Sequence, residues 1–155
     1  LEKTMAQARA EGEEFLLNEG ILAMMEKGAV FTPRTVKEWM DCGNPKITLQ
    51  TNIKMLNILT AEGNKLVADD VIIENSEIIP PCYIGSGVIL KNSTVGPHTA
   101  IGEGTQIENS TISKSLIQKH SLIQNAQLEG AMIGNHVKYD GKFSFVSIGD
   151  YSELS

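Results

Sequence analysis

Bulky aliphatic or aromatic residues recur at steps of five or six from Val67 to Tyr139, and the residue two places before nearly every one is small. The large positions are Val67, Ile73, Ile78, Ile84, Leu90, Val95, Ile101, Ile107, Ile112, Ile117, Ile123, Leu128 and Ile133, with Tyr139 as a degenerate last member. The small partners run Val71, Ser76, Cys82, Val88, Ser93, Thr99, Thr105, Ser110, Ser115, Ser121, Ala126, Ala131 and Val137. Only 41 of the 155 residues are Ser, Thr, Ala, Val or Cys, so composition does not explain an unbroken run at prescribed places. Residues two apart on a strand face the same side, so each small-x-large triplet points one compact and one bulky side chain inward. Each triplet is therefore one flat side of a coil.

Sorted by threes, the large residues form three columns: Val67, Ile84, Ile101, Ile117, Ile133; then Ile73, Leu90, Ile107, Ile123; then Ile78, Val95, Ile112, Leu128. Every step from the first column to the second is six residues, and every step from the second to the third is five. The shortened corner always carries Asn, at Asn75, Asn92, Asn109 and Asn125. Asn tolerates the left-handed backbone that a tight corner requires, and stacked Asn side chains can bond to one another along the axis. Gly follows the first column at Gly85, Gly102 and Gly134, where the chain must turn without a side chain in the way. The predicted architecture is a mainly β, three-sided solenoid of about four to five coils, about 20–25 Å tall at ordinary strand spacing. One coil cannot bury its own face, so the array stands together.

The remainder of the chain follows a different period. Residues 1–64 read as helix-rich and 65–155 as the solenoid, giving two expected domains. Glu14 to Lys27 reads as an amphipathic helix carrying Phe15, Leu16, Leu17, Ile21, Leu22, Met24 and Met25, stopped by Gly28, with the methionines as packing residues. Ala29 to Thr32 and Val36 to Trp39 read as two short extended pieces around Pro33. Asn44 followed by Pro45 is a helix start, cap residue then first-turn proline, and Ile47, Leu49, Ile53, Leu56 and Leu59 supply that helix with an apolar face. Glu62, Gly63 and Asn64 close it.

Formal charge is −6, and the solenoid holds six Lys and no Arg, which argues against a nucleic-acid groove or an anionic-membrane surface. No apolar run reaches the length of a membrane span. Cys42 and Cys82 lie forty residues apart without a metal-binding pattern, which reads as two buried thiols in a reducing cytoplasm. The start, Leu1-Glu2-Lys3-Thr4, has no signal-peptide organisation and no initiator Met, as expected of a piece of a longer protein.

The string Trp39, Met40, Asp41, Cys42, Gly43, Asn44, Pro45 places an acidic residue before a Gly turn and a capped helix. A carboxylate there can be aimed into a cleft to hold a hard cation such as Mg²⁺; alternatively, Asp41 only ties down the turn. The string resembles the W-x-D-x-G-T/N-P segment near the end of the catalytic domain in sugar-1-phosphate nucleotidyltransferases, many of which continue into a helix and a left-handed β-helix. The hexapeptide pattern is similar to that left-handed parallel β-helix family, and the hand comes from the resemblance, since the usual crossover rule favours the other one. The resemblance implies that 1–64 is the end of a nucleotidyltransferase catalytic domain. It implies that Asp41 helps bind catalytic Mg²⁺, with Gly43 in its turn and Trp39 flanking, and that nucleoside triphosphate and sugar-1-phosphate are the substrates. Asn44 stands where many members have Thr. The family's Gly-rich nucleotide loop and second metal-binding aspartate have no match here, so this chain alone is expected to be inactive.

The competing class is a hexapeptide-repeat acyltransferase, which would use a histidine base and acyl-CoA; its candidates are His98, His120 and His136. His120 and His136 each follow a first-column residue by three and are expected to stack on one corner, with His98 on another. Exposed turn residues are their simpler reading, and no basic, aromatic-lined stretch suits a coenzyme A tail. A purely structural assembly module is the third class. For the solenoid itself the expectation is subunit association, as a homo-oligomer, or regulation. A cap is expected from Tyr139 to Ser155, using Phe143, Phe145 and Tyr151, with Val146 and Ile148 before Gly149 forming one last turn.

Overall fold

A computed structural model describes residues 17–36, 39–141, 147–150 and 153–154. The chain divides into two compact units, Leu1–Trp39 and Met40–Ser155, so the change of hydrophobic period at Asn64 and Lys65 falls inside the second.

In the first unit, helix α1 spans Leu17–Glu26 and ends on Gly28, whose φ of 87° lets its N–H reach the Met25 carbonyl at 2.9 Å. Glu14, Phe15 and Leu16, expected in this helix, lie outside the described residues. Leu17, Leu22 and Met25 are exposed, so Met25 does not have the packing role expected of it. Residues 29–36 form no strand, because an extended piece becomes a strand only beside a ladder partner and none of the three sheets includes them. Val30, Phe31 and Val36 are accordingly exposed.

The second unit opens with helix α2, Pro45–Ala61. Asn44 caps it as expected: its side chain accepts the Ile47 N–H at 3.0 Å, and Pro45 occupies the first turn. At the other end Glu62 and Gly63 turn the chain out, Gly63 with φ 77°. Leu49 and Leu56 are buried and Ile47, Ile53 and Leu59 half-buried, so the apolar stripe faces the protein.

From Ile72 the chain winds as a parallel β-solenoid. The first side of each coil is β1 (Ile72–Glu74), β4 (Ile89–Lys91), β7 (Gln106–Glu108), β10 (Leu122–Gln124) and β13 (Lys138–Asp140), with β15 (Glu153–Leu154) closing a six-stranded sheet. The second side is β2 (Glu77–Ile78), β5 (Thr94–Val95), β8 (Thr111–Ser113) and β11 (Gln127–Glu129). The third is β3 (Cys82–Ile84), β6 (Thr99–Ile101), β9 (Leu116–Ile117), β12 (Met132–Ile133) and β14 (Ser147–Ile148). Registers reproduce the sequence columns: Ile73 pairs with Leu90 and Leu90 with Ile107, Ile78 with Val95, and Ile84 with Ile101. Val67 bridges to Ile84, and Tyr139 joins its column beside Ile123. β14 is the last turn expected at Ile148, while Phe143, Phe145, Val146 and Tyr151 lie outside the described residues.

Column residues from Ile84 to Tyr139 are almost wholly shielded from water, each large side chain contributing about 1.5–3 kcal/mol. Ile73 is 49% exposed because β1 is the edge strand of its sheet and pairs only with β4 among the described residues. Residues of the small columns do more than fill space. The Ser93 hydroxyl accepts the Ser110 N–H at 3.1 Å and donates to the Lys91 carbonyl at 2.6 Å; Ser110 does the same for Ala126 and Glu108, and Ser115 for Ala131 and Ser113. These hydroxyls satisfy backbone groups that buried corners strand. Among the described residues no buried side-chain nitrogen or oxygen lacks a partner.

All three corners use left-handed backbone. Asn75, Asn92, Asn109 and Asn125 have φ between 46° and 53°, and their amides bond in a ladder at 3.3–3.4 Å. Asp140, unforeseen from the pattern, ends it by accepting from Asn125 at 2.9 Å. Gly87, Gly104, His120 and His136 hold the second corner; His98, Lys114 and Gly130 hold the third. Gly85, Gly102 and Gly134 are not in this conformation. They are needed for room: a Cβ at Gly102 would lie 2.7 Å from Lys119 N of the next coil.

Candidate functional site

Asp41 sits in the loop that delivers the chain to α2. Its carboxylate accepts the Gly43 N–H at 3.0 Å, and its carbonyl accepts the Thr51 hydroxyl at 2.7 Å. Thr48 Oγ1 donates to the Cys42 carbonyl at 3.2 Å and to the Asn44 carbonyl at 2.9 Å. Helix side chains thus hold the backbone of this turn, while the Asp41 side chain stays exposed to solvent. A Cβ at Gly43 would meet that carboxylate at ordinary van der Waals distance, 3.4 Å from Oδ1, so clearance alone does not require glycine here. Trp39 lies in the other unit and is exposed.

Taken as a metal ligand, Asp41 offers one carboxylate already engaged with a backbone N–H. Mg²⁺ is commonly held by one or two carboxylates, with water and substrate phosphates completing its octahedron. Asp41 fits one ligand position of such a site and not a whole one. Among the described residues no three His, Cys, Asp or Glu side chains gather as a self-contained metal site requires. Cys42 shares the open turn and is exposed, contrary to the expectation of two buried thiols. Cys82 is buried, and that burial pushes its thiol above the usual range while its Sγ lies 3.0 Å from the Ile79 carbonyl.

The histidines divide as their spacing predicts. His120 and His136 stack on neighbouring coils with ring centroids 5.2 Å apart and 23° between planes. Their φ values of 55° and 56° continue the corner that Gly87 and Gly104 occupy below, and the His120 ring rests on the face of Gly104. Both are exposed corner residues. His98 does something the sequence did not disclose: its Nε2 lies 3.0 Å from Asn57 Oδ1 on α2, and its carbonyl accepts from Asn52 Nδ2 at 3.5 Å.

An open cleft of about 500 Å³ runs along the Asn corner, lined by Asn92, Asn109, Asn125, Thr94, Thr111 and Gln127. Its lining is polar apart from Ala126, and the asparagine amides are bonded to one another and to Asp140. Nearby charges pair across coils: Lys114 with Glu129 at 2.6 Å, which holds the Glu129 carboxyl below its usual range, and Lys119 with Glu103 at 3.2 Å. Asp70, below the first full coil, accepts from Ser86 Oγ and the Gly87 N–H, and the Ser86 bond chiefly lowers its carboxyl. None of these groups forms a nucleophile–base pair.

Among the described residues no helix is long and apolar enough to cross a membrane. No protein-family model matches the chain, and no curated protein matches it either.

Proposed function

We propose that this chain belongs to a sugar-1-phosphate nucleotidyltransferase, carrying the end of its catalytic domain and the β-helix that follows. The reading rests on the resemblance of the Trp39–Pro45 string and on the order turn, capped helix, parallel solenoid. The observation that carries it is the Asp41 turn: an exposed carboxylate on a backbone fixed by Thr48, Thr51 and the Asn44 cap.

In the whole enzyme a sugar-1-phosphate oxygen attacks the α-phosphorus of a nucleoside triphosphate, the bond to the β-phosphate breaks, and pyrophosphate leaves with the electron pair. Such a transfer asks for positioning and charge neutralisation rather than a protein nucleophile. Bound Mg²⁺ supplies part of that neutralisation. Asp41 would provide one of its oxygen ligands, and the turn around it keeps that oxygen in place. The remaining catalytic groups belong to the rest of the catalytic domain. The β-helix serves homo-oligomeric assembly or regulation: its column interiors are closed to substrate, and the outer positions of its third side, Tyr83, Ala100, Leu116 and Met132, form a largely apolar row.

The test is turnover by the complete protein on a panel of nucleoside triphosphates and sugar-1-phosphates with Mg²⁺. Pyrophosphate release that requires both substrates is expected. Absence of release across the panel, with acyl-CoA cleaved to free CoA instead, would replace this reading by the acyltransferase one.

A further inference from the structure

Helix α2 is bonded along its length to two different things. Toward its start, Thr48 and Thr51 donate to the carbonyls of Cys42 and Asp41. Further along, Asn52 and Asn57 engage His98, a corner residue of the solenoid. Thr48, Asn52 and Leu56 recur at intervals of four, with Leu49 beside them, so they share one stripe of the helix. Leu49 and Leu56 on that stripe are buried, and α2 packs against β6, the strand that follows His98. An amide oxygen only accepts, so Nε2 of His98 carries the proton in its bond to Asn57 Oδ1.

The anchor at the solenoid end is a stiff one. His98 is held in the left-handed conformation at φ 60°, and its N–H donates to the Pro81 carbonyl of the coil below at 2.7 Å. Rotating this corner would break a ladder bond as well as the helix contact. Among the described residues the turn end is held through the two threonine hydroxyls, the cap and the Gly43 bond. Load applied to α2 is therefore felt at Asp41 before it deforms the coils.

We infer that His98, Asn52 and Asn57 form a positioning set: they clamp α2 to the solenoid, and through Thr48 and Thr51 the clamp fixes where the Asp41 carboxylate stands. The solenoid then acts on the turn through a helix rather than by contact with any substrate. The consequence for catalysis rests on the nucleotidyl-transfer reading, whereas the linkage itself does not.

The experiment is amide hydrogen exchange followed by NMR on the full chain, comparing the unaltered protein with Asn57→Ala and His98→Asn. Alanine favours the helix and removes the acceptor. Asparagine tolerates the left-handed corner and is too short to reach position 57. Exchange of the Gly43 and Ile47 amides, whose bonds close the turn, is expected to quicken by about three- to tenfold in both variants. Exchange at Ile107 and Ile123 in the coils is expected to stay as it was. Unchanged exchange in the turn, or equal acceleration in turn and coils, overturns the inference. If Asp41→Asn leaves nucleotidyl transfer in the complete protein intact while Asn57→Ala still loosens the turn, the linkage stands and the catalytic reading falls.

Discussion

Ser110 illustrates how one hydroxyl serves two coils. It accepts the Ala126 N–H from the coil above and donates to the Glu108 carbonyl in its own, with the serine itself almost wholly buried. Removing it strands a buried N–H, whose desolvation is no longer offset. Ser110→Ala is expected to lower unfolding stability by about 1–3 kcal/mol, measured by urea denaturation. A change of a few tenths would mean that water reaches this corner. The same residue marks a limit of sequence reading. Its smallness at the position two before Ile112 was legible as a packing requirement, but its bonding was not, because the partner lies sixteen residues away and is a backbone group.

At the scale of elements, the corners decide whether a repeated triplet becomes a coil. Asn109 stands at φ 48° and is bonded to Asn92 below and Asn125 above, so it supplies both a tolerated conformation and a link along the axis. Asn109→Gly keeps the conformation and loses the link, while Asn109→Ala loses both. The alanine variant is expected to be less stable than the glycine variant by about 1 kcal/mol, read from thermal unfolding of the two, because left-handed strain outweighs glycine's looser unfolded chain. The three columns, the Asn corner and the stacking of His120 on His136 are legible from spacing, since each follows from a period repeated along the chain, and the capped start of α2 is legible from the local pair Asn44-Pro45. Gly102 is legible as a place where a side chain would be in the way, but that the obstacle is the backbone of the next coil is not, because a period records position and not the neighbour that fills it. Cys42 is exposed against expectation because local composition does not reveal whether a covering neighbour exists. The His98–Asn57 bond was invisible for a related cause: it joins a helix to a coil across forty-one residues with no motif to announce it.

On the scale of the whole molecule, the solenoid is a closed core, and the carboxylate to which the proposed function gives a chemical task stands outside it on the turn before α2. The proposed function puts the chemistry at that turn and leaves the coils to set geometry. Charge pairing such as Lys114 with Glu129 runs along the stack, where both partners remain exposed and add little to stability. The proposed function stands or falls at Asp41 rather than in the coils. Asp41→Asn preserves the side chain's shape and its acceptor for the Gly43 N–H while removing the charge offered to a metal. Steady-state pyrophosphate release with saturating substrates and Mg²⁺ is predicted to fall by about a hundredfold or more in kcat, with the unfolding temperature unchanged. Turnover at the unaltered rate would contradict the account and leave Asp41 as a residue that does no more than shape its turn.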